Sequence, residues 1–95
     1  MIIVSGKIYV IPGKRDTFIE GSIESIKAAR RAKGCRAFVV GPDVVEADRV
    51  NIYEEWDSKE DLSNFRGSGL SSGISSLIKD ANVSEHYIKD ASPDS

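Results

Sequence analysis

Residues 49–58 read Arg-Val-Asn-Ile-Tyr-Glu-Glu-Trp-Asp-Ser. This run of β-branched and aromatic side chains closes on the single tryptophan, and it predicts a strand over residues 50–56 with a polar helix start directly behind it. Strand side chains alternate between faces. Val50, Ile52, Glu54 and Trp56 therefore share one face, and Arg49, Asn51, Tyr53 and Glu55 the other. Glu54 sits beside a large ring on an otherwise apolar face. A carboxylate in that setting costs free energy unless it has a partner or a use, so this strand end is the first place to look for a site.

Working outward, residues 2–11 read as a strand stopped by Pro12-Gly13. A long helix is expected over residues 14–33, with Ile19, Ile23 and Ile26 as its apolar stripe, Ala29 and Arg30 extending it, and Gly34 as its stop. Residues 35–41, rich in Phe38, Val39 and Val40, form a second strand. Residues 42–48 carry turn chemistry, and the spacing predicts that the second and third strands pair antiparallel.

Ser58-Lys59-Glu60-Asp61 resembles a capping box with Asp61 in place of glutamate, opening a short helix to about residue 65 with Leu62 and Phe65 inward. Gly67 and Gly69 break it. Ile74, Leu77 and Ile78 mark a further helix over residues 70–80, and residues 83–89 alternate as a last strand. Residues 1–95 thus form one domain, with about 90–95 as a disordered tail. The order β-α-β-β-α-β predicts an α+β ferredoxin-like sandwich. Its helices cover one sheet face. A bare face carrying Phe, Tyr and Ile would expose an apolar patch, which a second copy packed face to face would bury.

Bulk composition removes several classes. Thirteen basic and fifteen acidic residues give a net charge of −2, a poor profile for binding nucleic acid. The cluster Lys27, Arg30, Arg31, Lys33 reads as a solvated last helical turn complementing the dipole. One cysteine, Cys35, excludes a disulfide framework and an iron–sulfur cluster, and with one histidine it makes a four-ligand zinc site implausible. No apolar run approaches the roughly 20 residues that span a membrane, and Ile2-Ile3-Val4 is too short for a signal peptide. The expectation is a reduced, cytoplasmic, soluble protein.

The ordered pattern Pro12-Gly13, Gly34-Cys35, Pro42-Asp43, Asp48-Arg49, Tyr53-Glu54-x-Trp56-x-Ser58 and Leu62 resembles the antibiotic biosynthesis monooxygenase domain, and in particular its quinol monooxygenase type. The resemblance runs from about residue 3 to residue 89 and is most specific at Glu-x-Trp. It implies a homodimer through the open sheet face, forming a dimeric α+β barrel. It implies a pocket in each subunit between helices and sheet, and oxygenation of a small aromatic substrate, a quinol or polyketide, without metal, flavin or other cofactor. A sister group degrades haem.

Each candidate residue has a plainer reading beside the chemical one. The resemblance makes Trp56 a pocket wall that stacks on a flat substrate; otherwise it is a core anchor. Glu54 among apolar neighbours has the raised pKa of a general base for a phenolic proton, or it is ion-paired with Arg66. Arg66 lies ten residues after Trp56, where haem-degrading relatives place an iron-binding histidine, and arginine cannot serve as that ligand. Gly6 stands where those enzymes carry asparagine, which also argues against haem degradation. Arg66 can instead stabilise an anionic oxygen species, or serve as a helix-end charge.

Phe65, Leu62, Ile23 and Ile74 are expected to complete the substrate-binding wall with Trp56 and the catalytic pair Glu54 and Arg66. Asn51 falls on the other pleat face, with Tyr53 and Tyr9, and so is expected at the dimer face. His86 reads as a surface or interface residue with some reach to a pocket mouth. Cys35 reads as a small buried hydrophobe. Phe65-Arg66-Gly67-Ser68-Gly69 lacks the lysine of a phosphate-cradling loop and reads as a hinge able to act as a lid. The leading function is a cofactor-independent monooxygenase. The runner-up is a non-catalytic small-molecule-binding or stress-response dimer of the same fold.

Overall fold

The computed structural model of the chain describes residues 1–67 and 73–89. Its elements are β1 (Ile2–Val10), α1 (Arg15–Arg31), β2 (Cys35–Pro42), β3 (Arg49–Trp56), α2 (Lys59–Arg66), a 3-10 helix (Gly73–Leu77) and β4 (Ile78–Tyr87). The strands form one sheet in the order β2-β3-β1-β4, and every neighbouring pair is antiparallel. This is the ferredoxin-like α+β arrangement.

The alternation expected of β3 holds. Val50, Glu54 and Trp56 are buried against the helices, whereas Arg49, Asn51 and Tyr53 are not. Cross-strand neighbours follow: Trp56 pairs with Ile2, and Glu54 with Val4, which in turn pairs with Glu85 of β4. The core divides into two clusters. One holds Ile2, Val4, Trp56 and Leu62, with Phe38, Phe65 and Cys35 packed on it; the other holds Ile8, Val10, Phe18 and Val50, with Ile74 and Leu77. Gly6 lies between them on β1, and a Cβ there would strike the Asn82 carbonyl and the Val83 Cα, so this backbone leaves no room for an asparagine side chain.

At α2, Ser58 caps as expected. Its Oγ accepts from the Asp61 N–H at 3.2 Å, while the hydroxyl donates to the Asp61 carboxylate at 3.0 Å. That carboxylate lies against Gly34, whose φ of +83° places it in the left-handed region, so glycine is required there for both backbone and space.

Three expectations are corrected. The helix over residues 70–80 is, where described, a 3-10 turn that gives way to strand at Ile78; residues 70–72, with Ser68, Gly69 and the tail from residue 90, lie outside the described residues. Ile74, Leu77 and Ile78 do have helical spacing, but Ile78 pairs with Val10, and cross-strand pairing overrides the local pattern. β4 therefore begins five residues before the expected Val83. Its polar stretch masks it, because an edge strand needs little apolar side chain.

The α1 stripe is also displaced: Phe18, Ser22 and Ala29 are buried, and Ile23 is 42% exposed. At roughly 100° per residue, Phe18, Ser22 and Ala29 lie within about 40° of one another while Ile23 stands well aside. Finally, the open face is not an apolar patch. It carries Ser5, Lys7, Arg49, Asn51, Asn82, Ser84 and His86 beside Ile3, Tyr9 and Tyr53. Phe38 turns to the helices, since a bulge between Cys35 and Ala37 shifts the parity of β2.

Candidate functional site

The i, i+2 spacing on β3 brings Glu54 and Trp56 together. The Trp56 indole Nε1 donates to Glu54 Oε1 at 2.9 Å. Glu54 is 8% exposed and Trp56 fully buried. Burial pushes the Glu54 carboxyl above its ordinary value; the indole N–H and the Arg66 charge act in the opposite sense, and the Glu85 charge adds to the rise. Phe65 of α2 leans on Trp56 with ring centroids 5.4 Å apart and meets Phe38 edge-on at 5.9 Å. Leu62, one turn earlier, is fully buried beneath them. The result is a protonatable carboxyl in an aromatic wall.

Arg66 does not form the expected ion pair with Glu54. Its Nη1 lies 3.2 Å from Glu85, which Lys59 holds from the other side at 2.7 Å. Those cations, the Lys59 bond first, keep Glu85 below its ordinary value. Nothing in the sequence marks Glu85 as a neighbour of Glu54. Only the register of β4 on β1 places both residues on one face, their backbones two strand spacings, about 10 Å, apart across Val4.

The other candidates separate. Ile74 packs in the second core cluster, against Gly21 of α1, and Ile23 sits on the exposed flank of that helix. Trp56, Phe65 and Leu62 are brought together with Glu54; Ile23 and Ile74 are not. Asn51 lies on the open face, as its parity requires, accepting from Arg49 Nε at 2.7 Å and donating to Asp43 at 2.9 Å. His86 is exposed on that face and lines a hollow of about 510 Å³ with Lys7, Asn51 and Asn82. Cys35 is half-buried beside Trp56, and burial pushes its thiol up.

Two further hollows, of about 290 and 420 Å³, open at the start of β2 and beside Met1. Glu54, Trp56 and Arg66 line none of the three. Among the described residues no group of three or more His, Cys, Asp or Glu side chains is placed to hold a metal, and no helix is long and apolar enough to cross a membrane.

Residues 1–73 match the family model described as antibiotic biosynthesis monooxygenase. Among solved structures, a Chloroflexus aurantiacus protein provisionally assigned to antibiotic biosynthesis monooxygenases superposes with a TM-score of 0.79 at 25% identity, covering 96% of this chain and 95% of its own. A conserved protein of Methanosarcina mazei superposes with a TM-score of 0.81 at 22% identity, over 93% and 92% of the two chains. PA3566 of Pseudomonas aeruginosa does so with a TM-score of 0.82 at 15% identity, over 94% of each. No curated protein matches at a significant level.

Proposed function

The chain belongs to the antibiotic biosynthesis monooxygenase family, and from that premise we propose that it oxygenates a quinol or another electron-rich aromatic with molecular oxygen, with Glu54 as general base. The supporting observation is the buried Glu54 carboxyl, bonded to Trp56 Nε1 at 2.9 Å and paired across the strands with Phe38. A raised pKa suits removal of a phenolic proton near neutral pH. The anion formed passes electrons to oxygen far more readily than the neutral phenol. One oxygen atom enters the product and the other leaves as water, with the substrate supplying the electrons.

Phe65 is the half-buried member of the wall and Trp56 the fully buried one, so a flat substrate enters by displacing Phe65 and stacking on Trp56. Arg66, at the end of α2, exchanges Glu85 for an anionic oxygen species. Two subunits join through their open sheet faces, Lys7 and Arg49 lying toward one end of that face and Glu55 toward the other.

The test is oxygen uptake by metal-free protein with reduced naphthoquinols and anthrones, corrected for autoxidation. A saturable rate is expected, falling about 10²–10⁴-fold in Glu54→Gln and about 10²-fold in Arg66→Ala. The same turnover in Glu54→Gln and Trp56→Phe refutes the assignment. The open-face hollow lined by Lys7, Asn51 and His86, remote from the fully buried Trp56, favours a second reading, a non-catalytic small-molecule-binding dimer of this fold. It predicts no uptake above background, and a ligand retained through purification that native mass spectrometry detects.

A further inference from the structure

Two cations of α2 converge on one carboxylate of an edge strand. Lys59 and Arg66 are the first and last residues of this helix. At about 100° per residue they stand on one stripe, within about 60° of the buried Leu62. That stripe faces the sheet. Lys59 Nζ donates to Glu85 Oε1 at 2.7 Å, and Arg66 Nη1 to Glu85 Oε2 at 3.2 Å. Glu85 lies on the outer strand β4 and points to the helix side, because its row runs Glu85, Val4, Glu54, Phe38 across the four strands.

An inward charge on an edge strand discourages edge-to-edge pairing, and exposed ion pairs add little stability. Neither effect explains why both cations gather on Glu85 while, among the described residues, none is bonded to the buried Glu54 of the same row. Solvation does. Glu54 is 8% exposed, whereas the Glu85 side chain keeps 28% of its surface in water. A guanidinium gives up less hydration at Glu85 than beside Glu54, so the outer carboxylate wins the contest.

Arg66 still stands near enough for its charge to reach Glu54. The polar and titratable groups around Glu54 come from four elements: the Trp56 indole from β3, Arg66 from α2, Glu85 from β4, and the Cys35 thiol from β2. Burial first, then the Glu54 charge, pushes that thiol up from 9.0, while Arg30 of α1 acts on it in the opposite sense. The thiol is therefore neutral while a carboxyl titrates. Where Arg66 rests is thus felt directly at Glu54.

We propose that Glu85 is a positioning residue for Glu54: it keeps the Arg66 guanidinium at the sheet edge, off the Glu54 carboxyl, so that Glu54 stays available to take a proton. The role rests on Glu54 being the base of the proposed oxygenase. Glu85→Gln preserves the shape and removes the hold. Arg66 then turns to the remaining carboxylate, and Glu54 weakens as a base.

The test is a double-mutant cycle on the full chain. It is read as the pH titration of the Glu54 side-chain carboxyl by carbon-13 NMR, the resonance being assigned by its loss in Glu54→Gln. In Glu85→Gln the Glu54 midpoint should fall by about 1 pH unit or more, as for a carboxylate that gains a close cation. In an Arg66→Met background the same Glu85→Gln change should move the midpoint less than half as far, since only the direct charge of Glu85 is then removed. No fall in Glu85→Gln, or an equal fall in both backgrounds, overturns the proposal. The titration needs no turnover, so the two readings fail separately. The expected cycle without any oxygen uptake by the wild type would support the positioning of Arg66 and refute the base assignment.

Discussion

Glu54 is a carboxyl removed from water and, among the described residues, left with one close donor, the Trp56 indole. Its raised pKa has a consequence for stability. The folded chain holds the proton more tightly than the unfolded one, so the contribution is fully present below the ordinary glutamate value and is lost as pH rises through the folded one. Glu54→Gln should therefore melt above the wild type at neutral pH, and scans at falling pH should show the gap closing below about pH 4. Leu62 is fully buried under the same aromatic wall; Leu62→Ala should cost about 2–5 kcal/mol in urea unfolding. The pairing of Glu54 with Trp56 is legible in the sequence, because period-two alternation along β3 puts both on the buried face. Arg66 is legible as a nearby cation but not as the partner of Glu85, because that pair depends on strand register.

Among the elements, the caps and the strands with clear punctuation are readable from sequence and the final segment is not. Ser58 opens α2 through its bond to the Asp61 N–H, and Ser58→Ala should cost about 0.5–2 kcal/mol in urea unfolding. β4 escapes a sequence reading because Ile74, Leu77 and Ile78 imitate a helical face, while pairing with β1 needs only backbone. The position of α1 is readable but its rotation is not. Three isoleucines outweigh Phe18 in any count of apolar residues, although Phe18 with the small Ser22 and Ala29 forms the surface that packs. The β2–β3 loop carries its own pH signature. Asn51 first, then the Glu46 and Val45 N–H groups, hold the Asp43 carboxyl at about 2, down from 3.8. A depressed pKa gives a brace present above the ordinary value and lost as pH falls through about 2, so amide exchange at Val45 and Glu46 should stay slow at pH 4 and accelerate near pH 2. Asp43→Asn should show fast exchange across that range.

For the whole molecule, the order β-α-β-β-α-β and the family are accessible from turn residues, periodicity and the Glu-x-Trp strand end. The character of the open face is not. Its strands follow from the sequence, but a bulge at the start of β2 sends Phe38 inward and leaves a face of mixed polarity. A dimer formed there would be wet and salt-sensitive rather than oily, and sedimentation at rising salt should show it dissociating.

The proposed function turns on Glu54 acting as the base. The pH–rate profile of oxygen consumption by metal-free protein, wild type against Glu54→Gln and Trp56→Phe, tests this most directly. The wild-type rate should climb through an inflection above the ordinary carboxylate range. That inflection should move higher in Trp56→Phe, where the indole no longer steadies the anion, and vanish with most of the rate in Glu54→Gln. An inflection and rate unchanged in Glu54→Gln would contradict the assignment.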